Sequence, residues 1–135
     1  MSYITQVVFT DKNLTTLKKG IMASDHDQVL SRTGPFTVFA PTDLAFSKLD
    51  AGTMDNLLLR ENKVALSNLI DGHVVEGKLK IADLKDGDKL KTLNGKELSV
   101  QVKDGQVSLN GATVQTSDIK STNGVIHSLD TVLNK

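Results

Sequence analysis

Apolar positions recur at helical spacing along the first third of the chain. Ile4, Val7 and Val8 fall at i, i+3 and i+4, and Leu14, Leu17 and Ile21 repeat the pattern behind Asn13, which is expected to be an N-cap. Val29 and Leu30 close a third short helical stretch, ended by Gly34-Pro35. The period then changes. Phe36-Thr37-Val38-Phe39-Ala40 is β-branched, aromatic and apolar on both faces, which predicts a strand covered on both sides. Pro41 stops it. Thr42 is placed to cap a new helix, Asp43 in the first turn suits the positive end of its dipole, and Ala45, Phe46 and Leu49 give it an apolar side. Residues 54–71 read as helix, with Leu66, Leu69 and Ile70 as a stripe and Gly72 as terminator. His73-Val74-Val75 reads as a strand.

From about Asp88 the pattern is all β. Leu98, Val100 and Val102 alternate strictly, as do Val107 with Leu109 and Ala112 with Val114. Asn94-Gly95, Asp104-Gly105 and Asn110-Gly111 tolerate positive φ and mark hairpin turns. Asn123-Gly124 precedes a last strand, Val125 to Leu129. Helices followed by a meander predict an α+β fold, not a parallel βαβ sheet.

A length of 135 residues fits one domain, here residues 1–135. The apolar share of 39% and charged share of 24% exclude the signature of disorder. Lys+Arg and Asp+Glu both number 16, so nothing in the net charge favours nucleic acid, and little repulsion opposes weak self-association of a monomer. With no cysteine, disulfides, thiolate metal sites and a Cys nucleophile are excluded. The start, Met1 to Thr5, has neither the basic nor the apolar region of a signal peptide, and no apolar run approaches the ~18 residues of a membrane span.

Candidate chemistry is sparse. Ser67, His73 and Asp43 could be written as a triad, but no nucleophile sits in a G-x-S-x-G elbow. Metal-ligand spacings are missing, and Asp83, Asp86 and Asp88 around Gly87 read as a solvated turn. No phosphate-binding glycine loop occurs, and no cofactor is expected. His26, between Asp25 and Asp27, reads as a solvent-facing loop residue. His73 and His127 instead lie in apolar strands, where an imidazole needs hydrogen-bond partners. The expectation is two satisfied core histidines, with Thr42 and Asp43 as the partners of His73.

These segments together resemble a known family. Thr37-Val-Phe-Ala-Pro-Thr-Asp-Leu-Ala-Phe46, preceded by Gly34-Pro35-Phe36, is similar to the first box of the fasciclin-type (FAS1) domain. Asn123-Gly-Val-Ile-His-Ser-Leu-Asp130 resembles its second box, and Leu69 to Leu79 resembles its Tyr-His segment, with Gly72 where tyrosine is usual and His73 retained. The absence of cysteine and the short chain look like a microbial member. The resemblance implies a wedge-shaped β-sandwich of about seven strands with helices packed on it. It implies a non-enzymatic adhesion module, secreted, periplasmic or on a cell surface, that binds a protein or glycan. Asp118-Ile119 matches a pair tied to adhesion in animal members, so Asp118, Ile119 and His73 are the candidate contact residues. Thr37, Phe39, Pro41, Thr42, Asp43, Phe46, Asn123, Gly124 and His127 are the structural residues of the boxes. The alternative is a carrier holding a small apolar ligand between helices and sheets, motivated by the Leu, Ile and Val of the helical part.

Overall fold

The computed structural model describes residues 3–30, 35–49, 52–121 and 123–133. The Gly34 of the first box lies outside them. Six short helices are described: α1 (Ile4–Thr10), α2 (Thr15–Ala23), α3 (His26–Val29), α4 (Asp43–Ser47), α5 (Thr53–Leu57) and α6 (Lys63–Asp71). The helical stretch expected over 54–71 is broken, with a 3-10 turn at Arg60–Asn62 between α5 and α6.

The described strands number eight, against the seven implied by the resemblance, and form two four-stranded sheets. The first has the order β2 (Val74–Glu76), β1 (Phe36–Pro41), β8 (Gly124–Leu129), β7 (Ile119–Ser121). The second is the expected meander of β3 (Lys89–Lys91), β4 (Glu97–Lys103), β5 (Gln106–Leu109) and β6 (Ala112–Thr113). One pairing departs from the expectation: β1 and β8 are parallel, with Phe36 opposite Gly124 and Phe39 opposite His127. Local alternation carries no information about two strands this far apart in sequence.

The first sheet is the middle layer. Phe36, Val38 and Ala40 of β1 and Ile126 of β8 join Ile4, Leu17, Ile21 and Ile70 of the helices in one apolar cluster. Phe39 of β1 and Leu129 of β8 face the other way, onto Leu98, Val100, Val107 and Leu109 of the second sheet. Each of the Val, Leu, Ile and Phe side chains among these stabilises the fold by roughly 1.5–3 kcal/mol when fully buried. Bridges Val75–Thr92 and Val114–Leu129 join the sheets.

Two turns follow the sequence closely. Asp104-Gly105 (φ 53° and 80°) and Asn110-Gly111 (φ 50° and 90°) are two-residue hairpin loops with both central residues left-handed, as type I′ requires. Asn94-Gly95 sits in a longer connection, where Thr92 N–H bonds the Lys96 carbonyl at 2.8 Å. Gly124 answers a different need. A Cβ there would lie 1.9 Å from the Phe36 carbonyl oxygen, so only glycine lets β8 approach β1.

Two expected caps differ. Asn13 does not cap α2, whose N-cap is Leu14. The Asp43 carboxylate does this from a distance, accepting hydrogen bonds from Thr16 N–H at 2.7 Å and the Thr15 hydroxyl at 2.6 Å. Gly72 ends α6 with ordinary helical angles (φ −69°), not the left-handed cap that a terminal glycine suggests.

Candidate functional site

Most residues of the two boxes are buried, and two of them act on one edge of the molecule. Thr37 donates its hydroxyl to the Gly77 carbonyl (2.7 Å) and accepts from Leu79 N–H (2.8 Å). His127, fully buried and stacked on Phe39 with ring centroids 5.6 Å apart, donates from Nε2 to the Leu79 carbonyl at 2.7 Å. Its Nδ1 accepts from Asp118 N–H at 3.1 Å. That pair of bonds fixes the neutral Nε2–H tautomer. Asp118 in turn accepts from Ile81 N–H through Oδ1 at 2.8 Å. Thr37, His127 and Asp118 thus pin the 77–81 loop beside β7. Asp118 is held at φ 57°, a left-handed conformation that Asp tolerates better than most residues. Its side chain is 35% exposed, and Ile119, half-buried, follows it. A cleft of about 110 Å³ runs past Ile119, Asn13, Thr116 and Ser128.

Around this edge the remaining box residues brace the frame. Asn123, buried, accepts from Ile4 N–H at 2.9 Å and donates to the Leu30 carbonyl at 2.6 Å, tying α1 and the end of α3 to the start of β8. Pro41 closes β1, and the Thr42 hydroxyl caps α4 by accepting from Ala45 N–H at 3.2 Å. Phe46 fills the helical core. Burial alone would raise the Asp43 carboxyl, yet the bonds from Thr15 and Thr16 outweigh it and hold the group below the usual carboxylate range.

His73 does not meet Thr42 or Asp43, so the expected tie is corrected. The imidazole is 1% exposed; Nδ1 donates to the Leu69 carbonyl at 2.7 Å and Nε2 accepts from Leu133 N–H at 2.8 Å. It fastens the end of α6 to the segment after β8, with no ring atom offered to a partner. Burial pushes its pKa down to about 4, although the bond to Leu69 works in the other direction.

The segments on either side of His73 frame a cavity of about 270 Å³ between α5, α6 and the second sheet. Leu57, Leu69, Leu98 and Leu133 give it apolar walls, and Gly72 lies on its lining. Its polar lining comes from the carboxamides Asn68, Asn94 and Asn110, the Thr53 hydroxyl, and Lys96 and Glu97, which carry opposite charges. No pattern in the sequence marked this site, because its lining comes from short elements far apart in the chain.

His26 is also inside, 5% exposed, which corrects the solvent-facing expectation. Its Nε2 lies 2.5 Å from the Asp71 carboxylate and its Nδ1 2.8 Å from the Ser24 hydroxyl. A serine, a histidine and an aspartate in line suggest a catalytic relay, but the hydroxyl donates to the Gly20 carbonyl at 2.8 Å and is buried. The arrangement clamps α2 and α3 to α6, beside the Lys63–Asp25 ion pair. Ser67, His73 and Asp43 do not assemble. Asp83, Asp86 and Asp88 accept from backbone N–H groups of Lys80, Val102 and Lys85, as turn residues do. Among the described residues no group of three or more His, Asp or Glu is placed to hold a metal ion, and no helix is long and apolar enough to cross a membrane.

Comparison with known proteins agrees with this architecture. The chain is 44% identical to Protein sll1483 of Synechocystis over 130 residues, covering 96% of this chain and 72% of that protein. It is 36% identical to sll1735 of the same organism, covering 98% of each. It is 35% identical to the pig transforming growth factor-beta-induced protein ig-h3, covering 98% of this chain and 19% of that one. A solved FAS1 domain pair from the insect cell adhesion molecule fasciclin I superposes with a TM-score of 0.88 at 19% identity, over 99% of this chain and 51% of that one. Fasciclin domains are generally non-catalytic. The Fasciclin domain description matches residues 12–135, the span that holds both boxes and both sheets, and the chain belongs to that family.

Proposed function

We propose that the protein is a non-enzymatic recognition module that binds a protein or glycan on a cell surface or in a matrix, through the edge carrying Asp118 and Ile119. The observation that carries this reading is the support of that edge. Three polar side chains, two of them from the buried boxes, hold Asp118 and the 77–81 loop in one conformation. A contact residue held rigid loses little entropy when a partner binds. The similarity to a domain pair from an insect cell adhesion molecule supports the same reading, and with it a place outside the cytoplasm. In the test, beads coated with the protein are offered to cells and to matrix. Coated beads attach more than blank ones, and Asp118→Asn, which keeps the left-handed backbone and the acceptor oxygen but removes the charge, weakens attachment without lowering the melting temperature. Attachment equal to blank beads sinks the proposal.

A second reading is favoured by one observation, the cavity beside Gly72: the domain carries a small, largely apolar molecule there. Native mass spectrometry of the protein purified from its own cells tests this, since only the bare polypeptide mass in every preparation would count against it.

A further inference from the structure

We infer that the cavity between α5, α6 and the second sheet selects an uncharged molecule of one or two rings, or a ring with a short chain, carrying a carbonyl-type acceptor. The inference rests on the carrier reading and specifies its ligand.

Size comes first. A cavity of about 150 Å³ holds benzene, and drug-sized ligands occupy about 300–1,000 Å³. The 270 Å³ here lies between. Leu57, Leu69, Leu98 and Leu133 make most of this space suitable for hydrocarbon.

The polar groups set the head. A carboxamide has two N–H donors and one acceptor oxygen. The Asn94 oxygen is already taken by Lys96 N–H at 3.2 Å and by the Thr92 hydroxyl, and one of its N–H groups by the Asn68 carbonyl at 3.0 Å. The Asn110 oxygen is taken by Ser99 N–H at 2.8 Å, and one N–H makes a long 3.4 Å bond to the Glu97 carbonyl. Each side chain therefore retains an N–H donor, while the Asn94 oxygen is filled and the Asn110 oxygen keeps a single lone pair. With two donors to one acceptor site, the group they match best is an oxygen or nitrogen lone pair. Lys96 and Glu97 give the lining one charge of each sign, so no net charge favours an ionised head.

Gly72 keeps the space open. A Cβ at this position would stand 3.3 Å from Asn94 Nδ2, a flexible side-chain end, so a larger residue there displaces the amide and enters the cavity. The backbone at Gly72 has φ −69°, which any residue adopts, so it is the tight space and not the chain direction that favours glycine.

The test titrates the ¹⁵N-labelled full chain with three probes of similar size: N-benzylacetamide, n-butylbenzene and 3-phenylpropanoate. The expected result is a saturable shift of the amide signals of Leu69, Gly72, Asn94 and Leu133 with N-benzylacetamide. The other two bind at least about tenfold more weakly, the value of one neutral hydrogen bond. Gly72→Phe and Ala65→Phe, which obstruct the cavity from different places on its lining, each abolish the shifts while the rest of the spectrum stays dispersed. If no probe shifts these signals, both the carrier reading and this inference fail. If n-butylbenzene or 3-phenylpropanoate binds as tightly as the amide, the cavity is a carrier site but the acceptor-head inference is overturned. If both obstructed variants bind as the parent does, the site lies elsewhere and the inference falls.

Discussion

The two sheets have the same number of strands and opposite surroundings. Every residue of β1 and of β8 is buried, because helices cover one face of the first sheet and the second sheet covers the other. In β4 of the second sheet buried Leu98 and Val100 alternate with exposed Glu97, Ser99, Gln101 and Lys103. Both boxes that carry the family resemblance fall on the doubly covered sheet and the helix that follows β1. They report on packing, and Thr37 and His127 in addition hold an exposed edge from within. Surfaces free to vary belong to the second sheet and the loops.

The contrast can be broken at graded cost. Gly124→Ala places a methyl group against the Phe36 carbonyl and within 2.9 Å of the Ile4 side chain, between two sheet-forming backbones that cannot part. A loss of about 4 kcal/mol or more is expected in chemical denaturation, above the usual 1–3 kcal/mol of overpacking. A loss below about 1 kcal/mol would mean that β1 and β8 are not packed as closely as this.

Acid acts next, through His73. Its folded pKa of about 4 lies below the unfolded value of about 6.5, so the unfolded chain binds the proton first as pH falls. The stability held above pH 6.5 is therefore lost progressively down to about pH 4, by roughly 3 kcal/mol, and does not change further from this group below that. His73→Gln flattens this part of a stability–pH curve; an unchanged slope would assign the effect to other groups.

Asp43→Ala removes the acceptor for Thr15 and Thr16 and should cost about 1–3 kcal/mol, read as a lower urea midpoint at neutral pH. The Asp43 contribution is present above the unfolded pKa of about 3.9 and is lost as pH falls through its depressed folded value. Gln101→Ala, on the exposed face of the second sheet, should stay within about 0.5 kcal/mol of the parent.

Where one element settles its own environment, the sequence was enough. Continuous apolar character in Phe36–Ala40 meant a doubly covered strand, and strict alternation in Leu98–Val102 meant a half-exposed one. Asp104-Gly105 and Asn110-Gly111 fixed their hairpins because the turn and its residues are the same few atoms. What escaped was pairing between distant residues. The parallel β1–β8 register, the capping of α2 by Asp43, the Asp71 partner of His26 and the Leu133 partner of His73 all join segments whose separation no local period encodes. For the same reason His73 and His127 could be recognised as buried and bonded, while the atoms they bond could not.

The position of β8 between β1 and β7 has a consequence for how the chain comes to be folded at all. During synthesis β1 emerges early and can pair only with β2; its other partner arrives when Leu129 has been made. Until then the helices above have only part of the surface they pack on, and an apolar strand edge stands open. Such an edge is a template for the wrong partner. Nascent chains halted before β8 should therefore be the aggregation-prone species, and a chaperone acting on this protein would have most to protect in the interval before its last strand is delivered.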